Sequence, residues 1–238
     1  HLARTKIKLF FIINYATQLG QKVVLQVLED NKPPRLYPLH YKDNHVWEGE
    51  VDYFSKSLTC KYQVIDDFDQ VIDEEIIPHQ LQLGHVFKEY QIIDTWNSKN
   101  FPENYLNNKI FVNKKNNFKP ELVNIRKSHN QFFRLEAPLY NPNWSIVMIG
   151  DCEELGNWSH QKAVKLSEVD YGVWETSLEI KSEQNIQYKY GIFDVVTKEI
   201  VFIEDGDNRQ TQINTNPEVL QINADHYFVF NNETMWHA

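Results

Sequence analysis

The segment GDCEELGNWSHQKAVKL, residues 150–166, places a single tryptophan within a polar stretch of the chain. Gly156 and Asn157 come before Trp158, a serine and a histidine follow it, and residues of these types favour a turn. An indole in such a turn either folds back over a core or is displayed to a ligand. A displayed indole can stack on the apolar C–H face of a sugar ring while neighbouring amide or ammonium groups bind the hydroxyls.

Catalytic motifs are scarce in the rest of the sequence. It contains no phosphate-cradling glycine-rich loop, no Gly-x-Ser-x-Gly elbow and no His-Glu-x-x-His helix. The acidic run IDDFDQVIDEE, residues 65–75, could supply paired carboxylates for glycoside hydrolysis, but solvated strand ends and a hairpin loop are the favoured interpretation. The nine histidines lack metal-ligand spacing, so we expect neither a metal nor a cofactor.

Composition restricts the class of partner. A net charge of −9 and a pI near 5.5 argue against binding to nucleic acid or to an anionic membrane. No apolar run approaches the roughly 20 residues that span a bilayer. Cys60 and Cys152 form no disulfide framework, which predicts a reducing, cytoplasmic location. The chain starts with His1 rather than methionine, which suggests a piece of a longer protein.

Residues of alternating polarity predict strands in both halves of the chain. In VWETSLEIK, residues 173–181, Trp174 shares the apolar face, and in NIQYKYGIF, residues 185–193, Lys189 faces outward. The first half repeats this pattern in KIKLFFIIN, KVVLQVLED, HVWEGEVDYF and LTCKYQVIDD. Many short strands separated by turns predict an all-β fold made of sandwiches.

An internal repeat predicts two domains. NHVWEGEVDYFSKSLTCKYQVIDD in the first half corresponds to YGVWETSLEIKSEQNIQYKYGIFD in the second, matching Trp47 with Trp174 and Tyr62 with Tyr188. We therefore expect two immunoglobulin-like antiparallel β-sandwich modules in tandem. Their predicted boundaries are 1–97 and 128–231, with a connector at 98–127 that partly packs on a neighbour and a tail at 232–238.

The ordered motifs Leu-Gly-x-Trp, Gly-x-Trp, Tyr-Lys-Tyr and Asp-x-Asn-Arg, over residues 130–225, resemble a starch-binding domain of carbohydrate-binding module family 20. In the first half, IINYATQLGQKVVL and IIDTW look more loosely like strands of the tandem starch-binding modules that precede the catalytic domain of cytosolic-type 4-α-glucanotransferases. The resemblance implies two such modules joined by a connector.

For the second module, the resemblance implies a first glucan site. Trp158 takes the place of the stacking tryptophan, Lys189 and Asn208 those of the hydroxyl-binding lysine and amide, and Gln187 that of a polar strand neighbour. The second stacking tryptophan is replaced, and of Phe202 and Ile203 we favour Phe202. A second candidate site is implied for Tyr140, Tyr171 and Trp174, although the alternation of its strand favours a core or packing role for Trp174 over a sugar contact.

The first module departs further from the family pattern. Its turn NKPPRLYPL has no tryptophan, and Tyr62, Gln63 and Val64 stand at the Tyr-Lys-Tyr position, so platform and cation are predicted to be lost. Tyr15 and Tyr37 are the aromatic candidates for sugar binding in this module. A structural or docking role is the alternative.

The resemblance implies non-catalytic binding of α-1,4-glucan, presented to a covalently linked glucanotransferase domain absent from this chain. The sequence does not distinguish starch, glycogen, heteroglycan and maltodextrin, which share one stacking face. A protein-interaction module with vestigial sugar binding is the competing interpretation. A small glycosidase is disfavoured because no carboxylate pair lies in a recognisable context.

Overall fold

The computed structural model of the chain describes residues 5–96, 118–139 and 141–230, and the backbone of 233–235. The chain divides into two compact units. The strands of the first module lie between Ile7 and Thr95, and those of the second between Gln131 and Met235. Strands dominate both modules, which confirms the predicted all-β class. The predicted domain boundaries stay predictions, since residues 97–117 and most of the tail lie outside the described residues.

The first module is a sandwich of two sheets. Its strands are β1 (Ile7–Asn14), β2 (Lys22–Val27), β3 (Arg35–Pro38), β4 (His40–Tyr41), β5 (Val46–Tyr53), β6 (Ser57–Ile65), β7 (Val71–Glu74), β8 (His79–Gln82) and β9 (Glu89–Thr95). One sheet contains the order β9-β1-β5-β4, and the other contains β3-β2-β6-β7 with β8 also paired to β6. Every second residue of β1 is buried, because successive side chains of a strand point to opposite faces.

The second module has the same architecture. Its strands are β10 (Gln131–Glu136), β11 (Trp144–Gly150), β12 (Val164–Lys165), β13 (Ser167–Asp170), β14 (Val173–Leu178), β15 (Asn185–Asp194), β16 (Glu199–Ile203), β17 (Arg209–Gln212), β18 (Val219–His226), β19 (Phe228–Phe230) and β20 (Glu233–Met235). One sheet contains β13-β14-β10-β18, the other contains β12-β11-β15-β16 with β17 also paired to β15, and β19 and β20 form a hairpin.

One strand pair in each module departs from the predicted antiparallel arrangement. β1 pairs in parallel with β9, and β10 pairs in parallel with β18. Parallel neighbours need a long connection, and almost the whole module separates the two strands of each pair. The remaining pairs within each module are antiparallel among the described residues.

The strand registers define which residues of the two modules correspond. Trp47 opposes Ile13 and Trp174 opposes Leu135, at matching places in the first pair of strands. Tyr62, however, corresponds to Tyr190 and not to the predicted Tyr188. Cys60 opposes His79, as Tyr188 opposes Arg209. The second module therefore has one more residue between Trp174 and Tyr190 than the first has between Trp47 and Tyr62. The repeat seen in the sequence pairs Tyr62 with Tyr188 instead.

Hydrogen bonds give the same correspondence in the interior. The backbone N–H of Tyr62 donates to Glu75 (2.8 Å) and its hydroxyl donates to Asp94 (2.9 Å). The backbone N–H of Tyr190 donates to Glu204 (2.9 Å) and its hydroxyl donates to Asp225 (2.7 Å). Each module thus buries a tyrosine between two carboxylates.

Within the described part of the chain, no helix has the length and apolar character needed to cross a membrane.

Candidate binding site

Trp158 lies at the end of a tight turn, Glu153–Trp158, that follows β11. Three successive residues have left-handed backbone torsions: Gly156 (φ 79°), Asn157 (φ 49°) and Trp158 (φ 64°). A Cβ atom on Gly156 would lie 2.7 Å from the carbonyl oxygen of Lys162, so only glycine fits there. The turn leaves the side chain of Trp158 half-buried rather than enclosed in the core.

The root of this turn is fixed on the sheet. Leu155 is fully buried in the core of the module. A Cβ atom on Gly150, the last residue of β11, would lie 2.7 Å from the Leu155 side chain and 2.6 Å from the carbonyl oxygen of Gln187. Glycine at this position therefore lets the turn pack directly onto β15. The core residue Leu155 thus positions the displayed residue Trp158.

Gln187 connects the turn to a second loop. Its backbone N–H donates to Asp151 Oδ1 (2.9 Å), and its carbonyl accepts from the backbone N–H of Asp151 (3.0 Å). Its side-chain Oε1 accepts a hydrogen bond from Nδ2 of Asn208 (2.8 Å). The structure therefore brings together Gln187 and Asn208, two of the predicted site residues, next to the root of the Trp158 turn. Asp151, which holds this arrangement, was missed in the sequence.

Lys189 lies two residues further along β15, on the same face as Gln187. Its Nζ donates to the carbonyl oxygens of Glu204 (3.0 Å) and Gly206 (2.6 Å). The predicted outward direction of this lysine agrees with the structure, where the side chain is half-buried. Lys189 clamps the loop that carries Asn208, a positioning role that the sequence pattern does not predict.

The same loop is anchored from below by a buried ion pair. Arg209 donates to both carboxylate oxygens of Glu204 (2.9 and 2.8 Å) and lies 3.4 Å from Asp225. Burial alone would lower the pKa of Arg209, but Asp225 and Glu204 raise it above its usual range. The guanidinium stays charged, and such a charged bidentate pair gives the loop a fixed geometry.

The structure corrects the choice of Phe202 as the second stacking residue. Phe202 opposes Ile192, a core residue, so its ring points inward, away from the face of Lys189. Its ring packs edge-on against Trp144 (5.6 Å) and Phe230 (5.0 Å). Ile203 opposes Gly191 and therefore lies on the face of Lys189. Because β16 contains a bulge, strict alternation could not predict which face of the sheet Phe202 and Ile203 occupy.

A groove of about 470 Å³ lies elsewhere on the second module. It contains Tyr171, which is half-buried, and its floor includes Trp174, which is only 4% exposed. The indole N–H of Trp174 donates to the carbonyl of Ala137 (2.9 Å), so this residue belongs to the core, as predicted. Phe118, from the predicted connector, packs edge-on against Tyr171 at 6.3 Å. Tyr140, the other predicted residue of this site, lies outside the described residues.

The first module keeps the lysine that the sequence comparison judged lost. Because Tyr62 corresponds to Tyr190, the residue that corresponds to Lys189 is Lys61. In the sequence motif, Gln63 was aligned with this lysine. Lys61 Nζ lies 2.8 Å from Glu74, which also accepts from Gln26 (3.0 Å). Hydrogen bonding from Lys61, then from Gln26, lowers the pKa of Glu74. The lysine of this module is thus neutralised by its own side-chain partner.

Other parts of the corresponding face are absent from the first module. The loop between β2 and β3 has no aromatic residue before Tyr37, and Pro78, which precedes His79, replaces Asn208. Tyr37 lies on β3 and Tyr15 follows β1 and bonds to Asp73 of β7, at the opposite end of the β3-β2-β6-β7 order. The structure therefore does not bring together the two aromatic candidates of this module.

The second module is similar to a known family of domains. The family described as Starch binding domain matches residues 132–223, from β10 to β18. The predicted resemblance to starch-binding modules is thereby confirmed.

The chain as a whole is similar to the 4-alpha-glucanotransferase DPE2 of Oryza sativa subsp. japonica, with 27% identity over 234 residues. The alignment covers 87% of this chain but only 24% of the rice protein, so the chain spans about a quarter of that relative. A cyclomaltodextrin glucanotransferase of Klebsiella oxytoca is 42% identical over 45 residues, 19% of this chain and 7% of the relative. Among solved structures, the family 20 module of the maltotetraose-forming amylase from Pseudomonas saccharophila STB07 has a TM-score of 0.35 and 24% identity, covering 40% of this chain and 98% of that chain.

Proposed function

We propose that the second module binds α-glucan by stacking a sugar ring on Trp158 and bonding its hydroxyls to Lys189, Asn208 and Gln187. The observation that carries this proposal is the side-chain hydrogen bond between Asn208 and Gln187 beside the root of the Trp158 turn, with Lys189 holding the loop that carries Asn208. The match of the same module to starch-binding domains supports it independently.

The polar groups keep capacity for a ligand. An ammonium has three donors, and Lys189 uses two of them on backbone carbonyls. Asn208 uses one N–H on Gln187, which leaves its second N–H and its carbonyl oxygen, and the amide NH₂ of Gln187 adds two donors. Sugar hydroxyls both donate and accept, so they suit this mixture of groups.

The stacking contribution can be sized. Covering ~100 Å² of apolar surface at ~25 cal/mol/Å² gives about 2.5 kcal/mol before the cost of association. Trp158→Ala should therefore weaken binding of maltoheptaose or β-cyclodextrin at least about tenfold in calorimetric titration of the chain. The matched control is Phe68→Ala, which removes an aromatic ring 83% exposed on the first module and should leave the affinity unchanged. Unchanged affinity in Trp158→Ala would refute the assignment of the site.

We further propose that the groove at Tyr171 is a second, weaker glucan contact. Its half-buried tyrosine, with the flanking ring of Phe118, offers an apolar surface next to polar groups. Tyr140 is predicted to contribute as well. Tyr171→Ala should lower the apparent valency for long maltodextrins more than the affinity for β-cyclodextrin. Equal behaviour of the variant and the unmodified chain with both ligands would remove Tyr171 from the proposal.

At the level of the longer protein, we propose that the two modules are copies of one domain that presents glucan to a linked glucanotransferase domain. Weak sites suit tethering, because linkage raises the local substrate concentration without holding the product tightly. The chain itself is proposed to be non-catalytic, so incubation with maltodextrin should release or rearrange no glucan. A cytoplasmic location is proposed from the two buried free cysteines and is testable by cell fractionation.

A protein-interaction role has one specific observation in its favour. Leu19 (106% exposed) and Phe68 (83% exposed) lie on adjacent loops of the first module, since a Cβ atom on Gly20 would come within 2.7 Å of Asp67. Exposed apolar side chains on neighbouring loops are typical of contact surfaces. Affinity electrophoresis in starch separates the two proposals: an unretarded chain would favour the interaction role.

A further inference from the structure

The end of the first module carries a pair of aromatic rings beside a carboxylate. The rings of Tyr15 and Trp96 lie 4.3 Å apart at their centroids and are inclined by 46°. Both side chains are half-buried. The Tyr15 hydroxyl donates to Asp73 Oδ2 (2.6 Å), and Asp73 Oδ1 accepts from the backbone N–H of Glu74 (2.9 Å). The three residues come from three places: the ends of β1 and β9, and β7.

This cluster is firmly positioned. The backbone N–H of Tyr15 donates to the carbonyl of His45 (2.8 Å), which fixes the chain where it leaves β1. Burial, and then the hydrogen bond and charge of Asp73, raise the pKa of Tyr15 to about 12. The hydroxyl therefore remains a donor to Asp73 throughout the neutral range. Trp96 directly follows β9, whose pairing with β1 brings it beside Tyr15.

The second module shows that the shared fold does not require such a cluster. By strand register, Ala137 takes the place of Tyr15, Tyr227 that of Trp96, and Phe202 that of Asp73. There, Phe202 makes apolar ring contacts with Trp144 and Phe230 instead of a polar bond. A sandwich of this topology therefore folds with a methyl group where the first module has a tyrosine. The aromatic pair is a feature of the first module alone.

We propose that Trp96 and Tyr15, with Asp73 at their edge, form an α-glucan contact on the first module. Aromatic faces stack on the C–H face of a pyranose, and a carboxylate accepts hydrogen bonds from its hydroxyls. Two inclined rings also suit a polymer whose successive sugar rings are not coplanar. The cluster is separate from the Lys61 face of this module, where Glu74 neutralises the lysine and no platform exists.

This inference rests on the proposed function, that the chain binds α-glucan, and the experiment separates the two. In the whole chain, the variant Trp158→Ala/Tyr171→Ala silences both proposed contacts of the second module. Calorimetric titration with maltoheptaose should still detect weak binding. Adding Trp96→Ala should weaken that residual binding about tenfold or more, whereas adding Phe68→Ala, which removes an exposed ring of the same module, should leave it unchanged.

A second measurement does not depend on a substitution that removes packing. In the unmodified chain, the indole N–H resonance of Trp96 should shift on addition of maltoheptaose. In the Trp158→Ala/Tyr171→Ala chain, adding Tyr15→Phe keeps the ring but should weaken the residual affinity by a few-fold, because the bond to Asp73 is lost. If the unmodified chain binds but the double variant binds nothing, or if the Trp96 resonance does not move, the first-module contact is refuted while the proposed function stands. If the unmodified chain binds no glucan, both fail.

Discussion

Lys189 and Lys61 hold corresponding positions but different partners, so their removal should have different effects. In Lys189→Met, Nζ loses its hydrogen bonds to the carbonyls of Glu204 and Gly206. Each bond is worth ~1 kcal/mol net at such a half-exposed place, so the second module should lose about 2 kcal/mol of unfolding free energy. For a domain of about 100 residues, this corresponds to a fall in Tm of about 10 °C. Glucan affinity should also fall, because both the ammonium and the position of Asn208 are lost.

Lys61→Met is the internal control for this prediction. Its ion pair with Glu74 is partly exposed, at 23% and 37% for the two side chains, and such pairs contribute about 0–1 kcal/mol. The first module should therefore lose little stability, and the affinity for maltoheptaose should not change. Differential scanning calorimetry and titration of both variants test the pair of expectations. Equal losses of affinity in the two variants would refute the argument that only Lys189 serves a glucan site.

Further predictions concern the turn, the two faces of β16 and acid stability. Gly156 has φ 79°, and a Cβ atom there would lie 2.7 Å from the Lys162 carbonyl oxygen, so Gly156→Ala should lower the free energy of unfolding by about 2 kcal/mol and weaken glucan binding. Gly84 has φ 66° but open space around it, so Gly84→Ala should lower the free energy of unfolding by only ~1 kcal/mol. A denaturant titration measures both. Phe202→Ala should lower stability by about 3 kcal/mol, since its ring packs among aromatics, whereas Ile203→Trp should strengthen binding in calorimetry by adding a ring beside Lys189. Because the pKa of Glu74 is lowered in the folded state, its carboxylate stabilises the first module fully above the unfolded pKa of 4.5, and this contribution is lost as the pH falls further. Glu74→Gln should therefore reduce the difference in thermal stability between pH 7 and pH 3, as measured by thermal melts.

Much of the fold follows from local sequence patterns. Alternation in VWETSLEIK and NIQYKYGIF assigned Trp174 inward and Lys189 outward, because every second residue of a strand shares a face. The turn at Trp158 was readable from Gly156 and Asn157, because glycine, which lacks a Cβ atom, and asparagine tolerate left-handed torsions.

Residues whose positions depend on irregularities were not readable. Alternation could not show that Phe202 faces inward, because a bulge in β16 shifts the register after Ile192. The extra residue between β14 and β15 shifted the alignment of the two halves, so Gln63 was aligned with Lys189 and the site lysine of the first module was predicted to be lost. The role of Arg209 was also hidden, because its bidentate pairing with Glu204 depends on a loop geometry that local propensity does not specify.

The two modules differ most on their outward faces. In the interior, both bury a tyrosine whose N–H and hydroxyl bind two carboxylates, Glu75 and Asp94 in one module and Glu204 and Asp225 in the other. A buried polar network of this kind tolerates little change, because a lost partner leaves a charge or a donor unsatisfied in a region of low dielectric.

The outward face has no such constraint, and there the substitutions change chemistry. Where the second module has Ile203 next to Lys189, the first has Glu74 next to Lys61. An isoleucine leaves the ammonium to its loop carbonyls, whereas a glutamate neutralises it. Glu74→Ile should therefore leave the Lys61 ammonium accessible without creating a glucan site, because the loop after β2 still lacks an aromatic platform. If a titration of that variant showed new glucan binding at Lys61, stacking on an aromatic ring would not be the dominant part of recognition.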